Sequence, residues 1–158
     1  MSSHDCIMAS KTNAALRAKL VLLFHICYIP RVAWQIEFTD EFEKWWRTLS
    51  EDEQDAVAVK VELLERHGPA LSRPHADVVH SSRHQHMKEL RIQHGGRPYR
   101  VLFAFDPRRT AILLVGGDKT GNDRWYEEFV PLADRLYEEH LEALKKEERN
   151  DGEEFQDT

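Results

Sequence analysis

The stretch KELRIQHGGRPYRVLFAFDPRRTAILLVGG, residues 88–117, constrains the fold more than any other part of the chain. Three runs of strand-forming residues, KELRIQ (88–93), PYRVLFAF (98–105) and AILLVGG (111–117), are divided by two short turn segments, HGGR and DPRR. Turn residues that reverse an extended chain within a few positions leave the flanking runs to pair antiparallel. The stretch therefore predicts a three-stranded meander. Alternation in the middle run puts Tyr99, Val101, Phe103 and Phe105 on one face, which reads as core. The last run is apolar on both faces, so it belongs inside the sheet or under helices. Arg100 stands opposite the aromatic face, on the same side as Leu102. A guanidinium stays charged at physiological pH and is costly to bury unpaired. Either a nearby acid (Glu89, Asp106 or Asp118) pairs with it, or the strand keeps it for an anion that visits.

Upstream, WQIEF (34–38) alternates as a short strand. In TDEFEKWWRTL, Phe42, Trp45, Trp46 and Leu49 recur at helical spacing, with Thr39 as the N-cap. Ser50 and Glu53 form a capping box that opens a second helix, whose apolar face is Val57, Val61 and Leu64. Gly68-Pro69 ends it. Residues 69–87 show no periodicity and hold His75, His80, His84 and His86, which reads as a polar loop. After DKTGND, the stripe Trp125, Phe129, Leu132 and Leu136 predicts a last helix to about Glu148, with Pro131 either starting or kinking it. The order strand, two helices, three strands, helix is α+β, with helices against one face of a small antiparallel sheet.

The ends differ from this domain. LVLLFHICYI (20–29) is too short to span a bilayer, and no small-x-small cleavage pattern follows Arg17 and Lys19. Residues 1–31 read as a non-domain extension, 32–148 as the domain and 149–158 as a disordered acidic tail. Neither a membrane span nor a signal peptide is the favoured reading. Cys6 and Cys27 fit no metal or redox spacing, which points to a reduced, cytoplasmic protein.

The net charge of −6 argues against a nucleic-acid binder, but its distribution argues for one. Between Arg83 and Arg124 nine Lys or Arg stand against four acids, so this segment is net +5 and the rest −11. A polyanion meets the local patch and not the total. The histidines lack a completing Cys or acid, so solvated or nucleic-acid-facing roles are favoured over zinc. GGDKTG lacks the full frame of a phosphate-binding loop. No nucleophile elbow or paired-carboxylate pattern is present in the sequence.

The series EFTDEFEKWW, LLERHGPALSRP, SSRHQHMKELRI, GRPYRVLFAFDPRRTAILLVGGDKTGNDRWYEEFVP and HLEAL resembles the HigB-like, phage-derived branch of the RelE/ParE toxin superfamily. It runs in order from about Val32 to Leu144. The resemblance implies a RelE-like fold and the toxin of a type II toxin–antitoxin system. The implied activity is a ribosome-dependent mRNA endoribonuclease (an mRNA interferase) that cleaves by 2′-hydroxyl attack and needs no metal or cofactor. The implied partners are an antitoxin of helix-turn-helix type, held in a hetero-oligomer, and mRNA on the ribosome.

By position, the resemblance implies catalytic roles for Arg100, Lys119, Arg91 and Tyr126, with Arg100 on an exposed sheet face to meet the scissile phosphate. It implies RNA contacts for Lys88, and the basic segment adds Arg97 and Arg124. No matching position supplies the acid–base histidine of some relatives; His84 and His86 are the candidates, and RNA contacts otherwise. Two other readings share the resemblance: a ParE-type inhibitor of DNA gyrase without chemistry, and a repurposed prophage binding module.

Overall fold

The computed structural model describes residues 33–154; the N-terminal extension (1–31) and the end of the acidic tail (155–158) lie outside the described residues. The caps set the frame. Strand β1, Gln35–Phe38, runs into Thr39, whose hydroxyl oxygen accepts from Phe42 N–H at 3.1 Å and so opens helix α1, Asp40–Thr48. The same hydroxyl donates to the Leu114 carbonyl, which fixes the start of the helix to the sheet. Ser50 and Glu53 complete the capping box of helix α2, Glu51–His67. Gly68 ends α2 at φ 56°, and a Cβ there would stand 2.2 Å from the Trp34 indole. Only glycine satisfies both demands.

Four further strands follow: β2 (Ala76–Val78), β3 (Lys88–His94), β4 (Arg97–Phe105) and β5 (Thr110–Asp118). With β1 they form one sheet in the order β1-β5-β4-β3-β2. The expected meander is its centre. Two features correct the expectation. The segment 69–87 contains β2, a strand of three residues too short to show a period. The sheet is also not wholly antiparallel, because β1 pairs with β5 in parallel.

The register of β4 against β5 slips between Leu102 and Phe103, so Leu114 and Val115 both turn to the side of Leu102. One face buries Tyr99, Val101 and Phe103 under Phe42, Trp46, Val57, Val61 and Leu64 of α1 and α2. The other buries Leu102, Ala104, Ile112 and Leu114 under Trp125, Val130, Ala133 and Tyr137 of helix α3, Trp125–Glu154. Helices therefore cover both faces and not one, because β5 is apolar on both sides. Helix α3 packs on β5 and β4. Pro131 lies inside it without ending it, and α3 passes Glu148, so residues 149–154 are helical and not a disordered tail. ALKKEER is made of strong helix formers, supported by Lys145 to Glu142 at 3.1 Å, and the single Gly152 does not stop it. Among the described residues no helix is long and apolar enough to cross a membrane.

The far end of the meander is held by one carboxylate. Asp106, buried, accepts from the backbone N–H of Arg108 and Thr110, from the Arg108 guanidinium, and lies 3.0 Å from His140 Nε2 of α3. Burial alone would raise its pKa, but the hydrogen bonds from His140, Arg108 and Thr110 outweigh it and hold the carboxyl below its usual value. A depressed folded pKa gives stability that is present above the unfolded value and lost as pH falls. Asp106→Asn is expected to cost about 1–3 kcal/mol at neutral pH, as charge-assisted hydrogen bonds are lost and a buried polar group is left unsatisfied. Urea melts across pH should show the gap from wild type closing below about pH 4. A gap that stays constant with pH would refute this account.

Candidate functional site

The site begins with a repulsion. Arg91 on β3 and Arg100 on β4 are direct cross-strand partners on the face that carries α3. Like charges opposite each other destabilise a strand pair unless something offsets them. Glu89, two residues before Arg91, does so: its Oε1 lies 3.6 Å from Arg100 Nε and 4.0 Å from Arg91 Nε. Both members of the central pair are buried, Glu89 at 5% and Arg100 at 7% exposure. Arg100 thus pairs locally, and it is not on an exposed face as expected, because α3 begins beside it. The pairing is incomplete. Nη1 donates to the Tyr99 carbonyl at 2.9 Å, but Nε is buried without a hydrogen-bond partner.

The start of α3 delivers the next group. Trp125 packs against Gly117, where a Cβ would come 2.7 Å from its Nε1. This close approach brings Tyr126 down on the sheet, and its hydroxyl donates to Glu89 Oε2 at 2.7 Å. Burial, then the Glu89 hydrogen bond and charge, push the Tyr126 phenol above its usual pKa, so it is a proton donor at neutral pH. Lys119 follows β5, pinned by its N–H to the Pro98 carbonyl at 2.8 Å, and its Nζ lies 5.1 Å over the Tyr126 ring. On the other side, Arg73 binds Asp77 Oδ2 at 2.5 Å, and Arg91 Nη1 stands 3.8 Å from the same oxygen.

These groups line an open cleft of about 410 Å³ over β3 and β2, beside the start of α3. Arg73, Arg91, Arg100 and Lys119 give it four cations against the two carboxylates Asp77 and Glu89. An excess of fixed cations around an under-bonded guanidinium is suited to an oxyanion.

The structure brings together Arg91, Arg100, Lys119 and Tyr126, and it leaves the remaining candidates elsewhere. Lys88 is on the opposite face, paired with Phe103, where its Nζ donates to the carbonyls of Pro69 (3.0 Å) and Leu71 (2.8 Å). Arg97 is on that face as well, near Asp118 at 3.8 Å. Arg124 is exposed and pairs with Glu127 at 2.8 Å. His84 lies against the middle of α3, 3.1 Å from Glu138 and edge-on to Tyr137, and His86 is exposed on the same loop. Arg73 and Asp77 line the cleft although nothing in their aperiodic segment marks them.

Residues 44–138 match the family described as Phage derived protein Gp49-like (DUF891). The chain belongs to this family. The Gp49-like region holds the end of α1, all of α2, the strands β2 to β5, the first part of α3 and every cleft residue named above. Two relatives from Mycobacterium tuberculosis carry names that call them toxins. HigB2 is 41% identical over 126 residues, 75% of this chain and 63% of that protein, so the chain spans just under two thirds of its length. HigB3 is 47% identical over 102 residues, 64% of this chain and 88% of that protein. Among solved structures, the free Escherichia coli toxin RelE, as a double mutant, aligns with 60% of this chain and 93% of its own. Its identity is 14% and its TM-score 0.44. The RelBE2 toxin–antitoxin complex of M. tuberculosis gives 18% and 0.40, over 55% of this chain and 99% of that one.

Proposed function

We propose that this Gp49-like protein is the toxin of a type II toxin–antitoxin system and cuts mRNA on the ribosome. The observation that carries the reading is Arg100: a buried, under-bonded guanidinium that lines a cleft with Arg91, Lys119 and the Tyr126 phenol. Similarity to two proteins named as toxins supplies the biological setting. An antitoxin of helix-turn-helix type silences it in a cytoplasmic hetero-oligomer.

The chemistry divides among these groups. The 2′-oxygen bonds to the adjacent phosphorus while the bond from phosphorus to the 5′-oxygen breaks, which leaves a 2′,3′-cyclic phosphate and a free 5′-hydroxyl. Two protons must move: one leaves the 2′-hydroxyl and one reaches the 5′-oxygen. Glu89 takes the proton that leaves the 2′-hydroxyl, while Tyr126, protonated at neutral pH, turns its phenol proton from Glu89 to the leaving 5′-oxygen and then regains a proton from Glu89. Arg100, Arg91 and Lys119 meet the negative charge that grows on the phosphorane. In this reading side chains carry the cationic role, and no metal is called for.

Expression without antitoxin is expected to arrest growth and to cut translated mRNAs within codons, read by mapping their 5′ ends. Intact mRNA beside an induced DNA-damage response would replace this reading with gyrase inhibition.

A further inference from the structure

A second cleft, of about 420 Å³, adjoins the first and is lined by Lys60, Arg73, Pro74, Arg91, Gln93 and Arg100. Arg73, Arg91 and Arg100 line both clefts. The two acids that offset these arginines, Asp77 and Glu89, line only the first. The second cleft therefore presents four cations with no carboxylate in its wall.

Lys60 adds an independent feature. It projects from α2, on the far side of Arg73 and Arg91, and is half-buried. Its near neighbour is an imidazole and not a carboxylate: Nζ lies 2.7 Å from His75 Nδ1, within hydrogen-bond distance. Burial pushes its pKa down, as expected for a cation that has given up water without gaining an anion. A partly desolvated ammonium over an acid-free cationic wall gains most from an anion with several acceptor oxygens.

We propose that this second cleft is a backbone-phosphate subsite for single-stranded RNA, in which Lys60 and the outward sides of Arg73 and Arg91 hold a phosphate next to the scissile one. The inference rests on the endoribonuclease reading and extends it to substrate positioning. The strand passes from the Tyr126 side over Arg91 to Lys60. Gln93 supplies a neutral amide beside that path, on the same face of β3 as Arg91. Lys60 shares neither cleft wall with the Tyr126–Glu89 couple, so it acts on binding and not on proton transfer.

The test uses the full chain and a short 2′-O-methyl RNA oligonucleotide, which lacks the nucleophile and is not cut. Affinity is measured by fluorescence anisotropy across a salt series. For single strands each phosphate contact contributes about 0.7 to the slope of log affinity against log salt. Lys60→Gln, which retains most of the side-chain stem, is expected to bind severalfold more weakly with a slope shallower by about 0.7. Lys60→Arg is expected to retain the wild-type slope, and Lys119→Ala to lose slope from the first cleft. An unchanged slope in Lys60→Gln beside a shallower one in Lys119→Ala overturns the subsite and leaves the endoribonuclease reading standing. Failure of the wild type to bind the oligonucleotide overturns the subsite, while the endoribonuclease reading stands or falls separately on the mapped mRNA 5′ ends. If Lys60→Gln melts early and Lys60→Arg does not restore the slope, Lys60 serves packing alone and the inference fails.

Discussion

Arg100→Ala is expected to slow mRNA cleavage by about 10²–10³-fold, the loss that follows removal of one preorganised donor to a developing oxyanion. It is also expected to cost about 1–3 kcal/mol of stability, because Glu89 loses the nearest charge to its buried carboxylate. The cost stays below that of breaking a well-formed buried ion pair. The Nε to Oε1 separation of 3.6 Å makes no hydrogen bond, and Tyr126 and Arg91 remain beside Glu89. The two losses separate by temperature. Cleavage of ribosome-bound mRNA by purified protein, measured well below the variant's own melting point, reports chemistry alone. A wild-type rate there would make Arg100 a structural ion-pair member and remove it from the proposed site.

Phe103→Ala supplies the opposite pattern. Phe103 is fully buried on the face covered by α1 and α2, edge-on to Phe105 at 5.9 Å between ring centres. Truncation leaves a cavity among Val101, Leu113 and the α2 side chains and should cost about 3–5 kcal/mol. The cleft lies across the sheet from this position, so the folded fraction should still cleave at low temperature. The urea midpoint and the low-temperature rate together decide the matter. A variant that unfolds early and is inactive even when folded would show that the two faces are coupled through the strand.

Local rules made much of this legible in the sequence. Thr39 and the Ser50–Glu53 box act within one turn, and the alternation of Tyr99, Val101 and Phe103 is a property of one strand. Alternation also contained an answer that cationic clustering obscured. Lys88 and Arg91 differ by an odd number of residues, so a strand must send them to opposite faces. What was hidden depends on distant partners. The stripe of α3 shows that the helix packs on something, but only β5, apolar on both sides, decides that it covers the second face. Arg73 enters the cleft because three-residue β2 draws its segment to the sheet edge, and no period in the sequence announces a strand that short. Among the acids near Arg100, proximity in sequence could not choose; the register of β3 with β4 chose Glu89.

The parallel pairing of β1 with β5 has a consequence for how the protein is made. Gln35 and Thr110 are neighbours in the sheet yet far apart in the order of synthesis, and Tyr126 comes later still. Contacts of long sequence separation form slowly and need both partners present. A nascent chain that has emerged only as far as β4 has its arginines but no phenol above them. On the proposed mechanism, the site is therefore completed late in translation, and an unfinished polypeptide would spare the ribosome that is producing it.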